Sequence, residues 1–381
     1  FTNANGTGNS TISWSTANSP RTLITLTRTL VDGTIISAEA LVIKNNNASS
    51  SVNAGYISEG QIHTFKLYTG EKDSDVLGDL LDTFVVYGGD NFLVYNGGAW
   101  VNAVAMDGTT AAKDAYIYDN LTLSSNVEIN NLEVAPGGSL TINAGVSLKV
   151  NGTSSGNVTY NTTLGTENWY LVSSPVAGET YDGAYVTANS LAINGANNAI
   201  ATYTTGANTW SYMQTGGGAT FTPGTGYSAR RADAAGPGTI SFTGTINTSD
   251  VAASVGIGAD GLNLVGNPFT TYLTSDSFLT GNSGNLRTTN IWVFNQATSN
   301  YEVKNLAGGF VLAPAQGFFV KANAATNLNI AESYQAATGN AFQKTSKSEI
   351  TLNMNDGTNN RFAKVYYLDN ATTSFDNGYD G

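Results

Sequence analysis

With 381 residues the chain exceeds one ordinary domain, and at roughly 100–200 residues per domain it should hold about two to four. Its 43 glycines, 10% aromatic and only 12% charged residues exclude long helices, which need Ala, Glu, Lys, Leu and Arg, and predict an all-β chain of short strands and turns. A formal charge of −12, from 28 acidic against 16 basic residues with no Lys/Arg cluster, argues against nucleic acid and against an anionic membrane surface.

Residues 1–90 read as an immunoglobulin-like sandwich. "TISWS" (11–15) alternates, with Ile12 and Trp14 either side of Ser13, and its expected companions are "TLITLT" (22–27) and "HTFKLYT" (63–69). Residues 91–155 change character. "GGSLTI" is followed eight residues later by "GVSLKV", so that Leu140 and Ile142 match Leu148 and Val150. Strands this short bury little alone, but stacked as rungs they share one apolar column, which predicts a short β-solenoid-like segment.

Residues 156–340 read as an internal duplication with halves of about 156–250 and 251–340. "WYLVSSP" (169–175) answers to "LNLVGNP" (262–268), and "ATYTTGANTWSYM" (201–213) to "IWVFNQATSNYEV" (291–303). "FTPGTGYSAR" (221–230) answers to "VLAPAQGFFVK" (311–321), and "TISFTG" (239–244) loosely to "NLNIAES" (327–333). Tyr203 matches Phe294 and Trp210 matches Tyr301 across a turn, which predicts hairpins pinned by cross-strand aromatic pairs. In Pro-x-x-Gly-aromatic the Gly is expected to supply turn freedom. Each half is expected to be an incomplete sheet, the two closing over one core as a jelly-roll-like sandwich. Residues 341–381 begin a further β module, with "ITLNM" and "FAKVYYL" as a hairpin around Asn-Asp-Gly. Phe1 opens directly into polar sequence, so no signal peptide is expected within these residues, and both ends are expected to be cuts within a longer parent.

Two family resemblances emerge from these phrases. The strand with Trp14 and the later "HTFKLY", where the family usually writes T-Y-T-F-K-V-Y, resemble a fibronectin type III module, with His63 in place of a tyrosine. "LNLVGNPF", "IWVFN", "APAQGFFVK" and the closing "ATTSFDNGYD" resemble the modular, gliding-adhesin-like surface proteins that Bacteroidetes export through the type IX secretion system. That second resemblance covers residues 91–381 well and the first module less well. It departs in lacking the C-terminal sorting domain, which would lie beyond Gly381. It implies export, an extracellular or outer-cell-surface location, the secretion machinery as a transit partner and neighbouring domains of a longer parent. No single activity is implied, since enzymes and adhesins both carry such modules.

Site chemistry is sparse. His63 is the only histidine and there is no cysteine, so the usual zinc chemistry is excluded in practice. A His-based nucleophile system would have to use His63, which sits mid-strand in "HTFKLYT" in place of a sandwich tyrosine and reads as structural. "EKDSDVLGDLLD" (71–82) gathers Asp73, Asp75, Asp79 and Asp82, but Leu77 and Phe84 fall where an EF-hand loop needs ligands. A solvated acidic loop is the preferred reading there, with a looser Ca²⁺ site as the alternative. Asp369, Asp376 and Asp380 cluster among Asn and Gly and offer a second candidate Ca²⁺ site. No cofactor is otherwise implied. "GTGYSA" (224–229) mimics a dinucleotide loop but leads into strand-like sequence, so it reads as a turn. Glu167, Glu179, Asp182, Asp233, Asp260 and Glu302 fall mainly in turns, and none is mirrored between the halves.

Aromatics are the remaining signal. Tyr181, Tyr185, Trp210, Tyr212 and Tyr227 in one half, and Trp292, Tyr301 and Phe318 in the other, read mostly as core, with Tyr181, Tyr185 and Tyr212 the candidates for exposed sugar stacking. No run of about 18 apolar residues exists, so no membrane insertion is expected. The sequence therefore predicts a non-enzymatic stalk or binding region of a surface adhesin, with extracellular polysaccharide or a cell-surface glycan as partner. The alternatives are the accessory region of a large secreted enzyme and a subunit of a strand-exchanged surface filament.

Overall fold

The computed structural model describes residues 92–100, 105–258, 260–296 and 300–342, together with the strands of residues 1–91 and 349–366. The fold is all-β, and among the described residues the α-helices are the short segments Gly183–Ala188 and Ser275–Gly281. Two compact units divide the chain, residues 1–93 and 94–381.

In the first unit Asn9–Trp14 pairs antiparallel with Ser50–Tyr56 in a two-stranded sheet. A separate antiparallel sheet has the order Ile35–Ile43, Thr22–Thr29, Ile62–Thr69, Leu80–Tyr87. The Trp14 strand thus pairs with neither 22–29 nor 62–69, which lie side by side. Their register sets Phe65 opposite Leu26 on one side and Phe84 on the other.

The second unit opens with a parallel solenoid of three faces. One face stacks Asp114–Ile117, Leu132–Val134 and Ser154–Ser155; the next stacks Asn120–Leu123, Ser139–Ile142 and Val158–Leu164; the third stacks Val127–Ile129 and Leu148–Val150. The eight-residue step seen in the sequence is not the stacking period. Leu140 stacks on Leu121, 19 residues earlier, and on Val158, 18 residues later, whereas Leu148 stacks on Val127. "GGSLTI" and "GVSLKV" are adjacent faces of one turn, similar because each must send two apolar side chains into the same interior. Ile117, Ile129, Ile142, Leu148 and Val150 fill that interior with almost no exposure. At a corner, Asp114 Oδ1 accepts from Asn130 Nδ2 at 2.9 Å and Asn131 Nδ2 at 2.8 Å, while Asn131 Oδ1 accepts from the Thr153 backbone at 2.7 Å. This polar ladder satisfies backbone groups that a tight corner leaves without sheet partners.

No linker separates the solenoid from the duplicated region. Val158–Leu164 is the last solenoid strand and also pairs antiparallel with Gly238–Ile246. Its inward positions Val158, Tyr160, Thr162 and Leu164 are all buried.

The duplication is structural. The first copy has a sheet of order Tyr170–Val172, Tyr227–Ala229, Asn197–Thr204, with Thr209–Gln214 on the outer side of the last. The second repeats it as Leu262–Gly266, Gly317–Lys321, Asn290–Asn295, Asn300–Asn305. Each copy also has a second antiparallel pair, Val158–Leu164 with Gly238–Ile246 and Val251–Val255 with Thr326–Ile330, and one short helix. Tyr203 lies opposite Trp210 with ring centres 5.3 Å apart, and Phe294 opposite Tyr301 at 5.1 Å, as the hairpin reading expects.

The expectation of one shared core is corrected. The second copy closes its own interior from Val265, Phe278, Ile291, Val293, Phe318 and Ile330, all buried. The short helix, unforeseen in the sequence, makes this closure possible by covering the gap between the sheet and the second strand pair. A smaller cluster lies between the copies, where Leu171, Leu264 and Phe319 pack with Tyr203, Trp210, Leu262, Trp292 and Phe294.

The matched phrases of the two copies meet each other. Ser173 N donates to Ala315 O at 2.9 Å, and its counterpart Gly266 N donates to Gly224 O at 3.0 Å. Val172 bridges Gln316, and its counterpart Val265 bridges Thr225. The same contact made in both directions is the mark of an approximate two-fold relation. Gly226 and Gly317 serve close approach rather than turn freedom. A Cβ on Gly226 would stand 2.6 Å from both Leu264 Cγ and Val265 O, and one on Gly317 3.0 Å from Val172 O. The positive φ lies two residues earlier, at Gly224 (+78°) and at its counterpart Ala315 (+59°).

The second copy also docks on the solenoid: Thr270 Oγ1 donates to Leu148 O at 2.6 Å, and Leu148 N to Thr270 O at 3.1 Å. Beyond it, Glu349–Asn355 and Asn360–Tyr366 form an antiparallel hairpin.

Candidate functional site

The first copy carries a groove built by two features of its sheet. Trp169 immediately precedes the edge strand Tyr170–Val172, and Tyr212 sits on the outer strand Thr209–Gln214. Their rings face each other at 5.6 Å with planes tilted by 59°. Gln296 of the second copy donates from Nε2 to Trp169 O and accepts from Thr166 Oγ1 at 3.4 Å, so the other copy fixes the backbone that carries the indole.

Two recesses share Trp169 and Tyr212. One, of about 370 Å³, runs over Ile193, Asn194, Asn197 and Arg230. The other, of about 200 Å³, lies at the seam and is floored by Leu171 and Ser228, with Phe294 and Tyr301 of the second copy as its far wall. Trp169, Tyr212 and Tyr301 are 37%, 38% and 48% exposed, and Ile193 63%. Large apolar rings left in water beside one another are more informative than any single exposed residue.

The polar lining is amide, hydroxyl and one guanidinium. Asn197 Oδ1 accepts from Gln214 Nε2 at 2.7 Å, and Asn198 Nδ2 donates to Met213 O at 3.4 Å. Arg230 Nε donates to Glu167 O at 2.6 Å, and its guanidinium pairs with Asp233. No carboxylate lines either recess, although the chain carries 28 acidic residues. Desolvation on its inner side, reinforced by Tyr203, raises the Tyr301 hydroxyl above its ordinary pKa, and like any tyrosine it is a neutral donor and acceptor at physiological pH.

Of the sequence candidates, the structure places Tyr212 in this groove and the other two elsewhere. Tyr181 is half-buried, edge-on to Phe221 at 4.8 Å and Tyr227 at 5.5 Å. Tyr185 is corrected to a core residue. It is 6% exposed on the Gly183–Ala188 helix, packed on Phe221 at 5.3 Å and Phe242 at 6.2 Å. "GAYVTA" looks like loop sequence, but Asp182 caps it by accepting from Tyr185 N at 2.9 Å, which turns the ring inward. Burial, then the Glu179 charge, drives the Tyr185 hydroxyl well above its ordinary pKa, and that hydroxyl has no hydrogen-bond partner. Tyr227 and Phe318 are core, as read from sequence.

The carboxylates of the duplicated region have structural tasks. Asp182 caps the helix, Asp233 pairs with Arg230, and Asp260 accepts from Asn208 across the seam at 2.6 Å. Glu179 accepts from the Thr243 and Thr180 backbones, and burial pushes its pKa up. Glu302, 2% exposed, accepts from Asn295 at 2.6 Å and pairs with Lys304 at 2.9 Å. Among the described residues no group of three or more His, Cys, Asp or Glu could hold a metal. The Ca²⁺ candidates Asp73, Asp75, Asp79, Asp369, Asp376 and Asp380 lie outside the described residues, as does the side chain of His63. "GTGYSA" leads into the strand Tyr227–Ala229.

Sequence reasoning missed Trp169, Ile193, Asn194, Asn197 and Arg230 as groove residues. The available signal was divergence inside the repeat, since Trp169 stands where the second copy has Leu262. Compared with protein-family models, curated proteins and solved structures, the chain finds no match. A functional reading therefore rests on the groove itself. Among the described residues no helix is long and apolar enough to cross a membrane.

Proposed function

We propose that this chain is a non-catalytic, multi-module stalk and binding region of a bacterial surface adhesin, exported by the type IX route, whose groove takes a glycan. The observation that carries the binding part is the juxtaposition of three exposed aromatic rings with an amide rim and no carboxylate. Sugar rings offer a C–H face to aromatic rings and hydroxyls to amides, and this lining supplies both. The stalk part is supported by serial β units and by the resemblance to exported surface proteins. A glycan array probed with the whole chain, with and without Ca²⁺, tests it. Binding that falls on changing Trp169 or Tyr212 is the expected result, and silence towards every glycan would leave only a spacer.

The same groove also suits an accessory carbohydrate-binding region of a large secreted enzyme. A hydrolase domain in the parent reading frame would favour that reading, and further β-sandwich repeats would favour the adhesin.

A further inference from the structure

Resting on the glycan reading, we infer that the groove holds a single soluble chain of neutral, equatorially substituted pyranoses, and neither a crystalline polysaccharide face nor a polyuronate. Three observations lead there.

The first is ring geometry. A flat crystalline face needs coplanar rings at one level, whereas Trp169 and Tyr212 are tilted by 59° and Phe294 and Tyr301 by 70°. Each pair is in contact, with centres 5.6 and 5.1 Å apart, so the rings form angled walls of the recesses beside them, and a ligand must lie in those recesses against one exposed ring face at a time. Only a lone chain, free to twist from one sugar to the next, can follow them.

The second is continuity. Trp169 and Tyr212 line both recesses, which together run from Asn194 of the first copy to Tyr301 of the second. One sugar cannot occupy both, so affinity should climb with chain length until both are filled and then level off.

The third is charge. Arg230 is the only cation of the lining, and it is already paired with Asp233 and bonded to Glu167 O. It therefore offers little net positive field to an acidic sugar. The formal charge of −12 repels polyanions at the range over which they are steered in solution. Pyranoses whose ring substituents are all equatorial leave their ring faces as C–H surface, the form that stacks on an exposed aromatic wall while its hydroxyls reach the amide rim.

Calorimetry on the whole chain tests this with cello- and xylo-oligosaccharides of two to six units, oligogalacturonates of the same lengths, and pull-down on microcrystalline cellulose. The expected result is binding of the neutral oligosaccharides, strengthening with length, unchanged between low and high salt, and absent on crystalline cellulose. Trp169→Ala and Tyr212→Ser should each weaken it at least tenfold and Trp169→Phe should restore part of it. Ile257→Ala, at an exposed position outside the groove, should leave it unchanged. Tyr212→Ser lies on an outer strand and guards against misfolding of the Trp169 variant, and near-ultraviolet dichroism checks both. Salt-sensitive binding of galacturonates, or capture by crystalline cellulose, lost in the same variants, would overturn the neutral single-chain inference while keeping a glycan groove. No binding of any glycan by the folded chain would overturn both.

Discussion

The two copies share one backbone plan and differ at the surface that one of them presents. Where the first has Trp169 and Tyr212, the second has Leu262, half-buried between the copies, and Val303, buried. The positions that join the copies keep their geometry in both directions: Gly226 and Gly317 at the close approaches, Ser173 and Gly266 at the reciprocal backbone bonds. Duplication thus supplies the architecture, and the departure from symmetry supplies the groove. A perfectly symmetric pair would carry two equivalent surfaces, or none.

That contrast can be broken most severely at the seam. Gly226→Val would drive a branched side chain into Leu264 and Val265 O, backbone that cannot step aside, and should cost about 3 kcal/mol or more, read as a lower urea midpoint. Gly317→Ala meets its neighbours at 3.0–3.2 Å and should cost less. If both were silent, the copies would not be packed as described.

A smaller asymmetry sits at the matched left-handed positions. Gly224→Ala adds both an unfavourable φ and a Cβ at 3.2–3.3 Å from Ala253, Ile330 and Val251, and should cost about 1–2 kcal/mol. Ala315→Gly removes the φ penalty but loosens the unfolded chain, so the two effects should nearly cancel. Equal and opposite shifts in melting temperature would contradict this.

Smaller still, and of the other sign, is Tyr185→Phe. The second copy puts Phe278 on its helix, whereas the first buries a hydroxyl without a partner. Removing that hydroxyl should stabilise by about 1 kcal/mol. The same hydroxyl sets a pH dependence of definite sign. Tyr185 is held protonated in the fold, above its unfolded value of about 10, so its contribution is fully present below that pH and fades as the unfolded chain ionises above it. An alkaline stability profile should therefore fall less steeply in the Tyr185→Phe chain. Least of all, Tyr212→Ser should move stability by less than about 0.5 kcal/mol while abolishing the groove's stacking wall.

The hairpins were legible because the Tyr203/Trp210 and Phe294/Tyr301 pairs lie on contiguous strands, where register follows from turn length. Spacing misled in the solenoid, because "GGSLTI" and "GVSLKV" answer to the same interior from neighbouring faces, and similarity there does not mean stacking. The second copy's private core was hidden by its helix, Ser275–Gly281, too short to show a helical period. Trp169 abuts one strand and Tyr212 lies on another, the two separated in the sheet by two others, and only the completed sheet shows that they meet.

Val158–Leu164 belongs to two structures at once, bonded parallel on one side and antiparallel along its full length on the other. A joint of this kind has no hinge. Tension crossing it would have to shear a whole ladder of backbone bonds together instead of peeling them one by one, and a gene cut placed there would leave a raw parallel edge on each fragment.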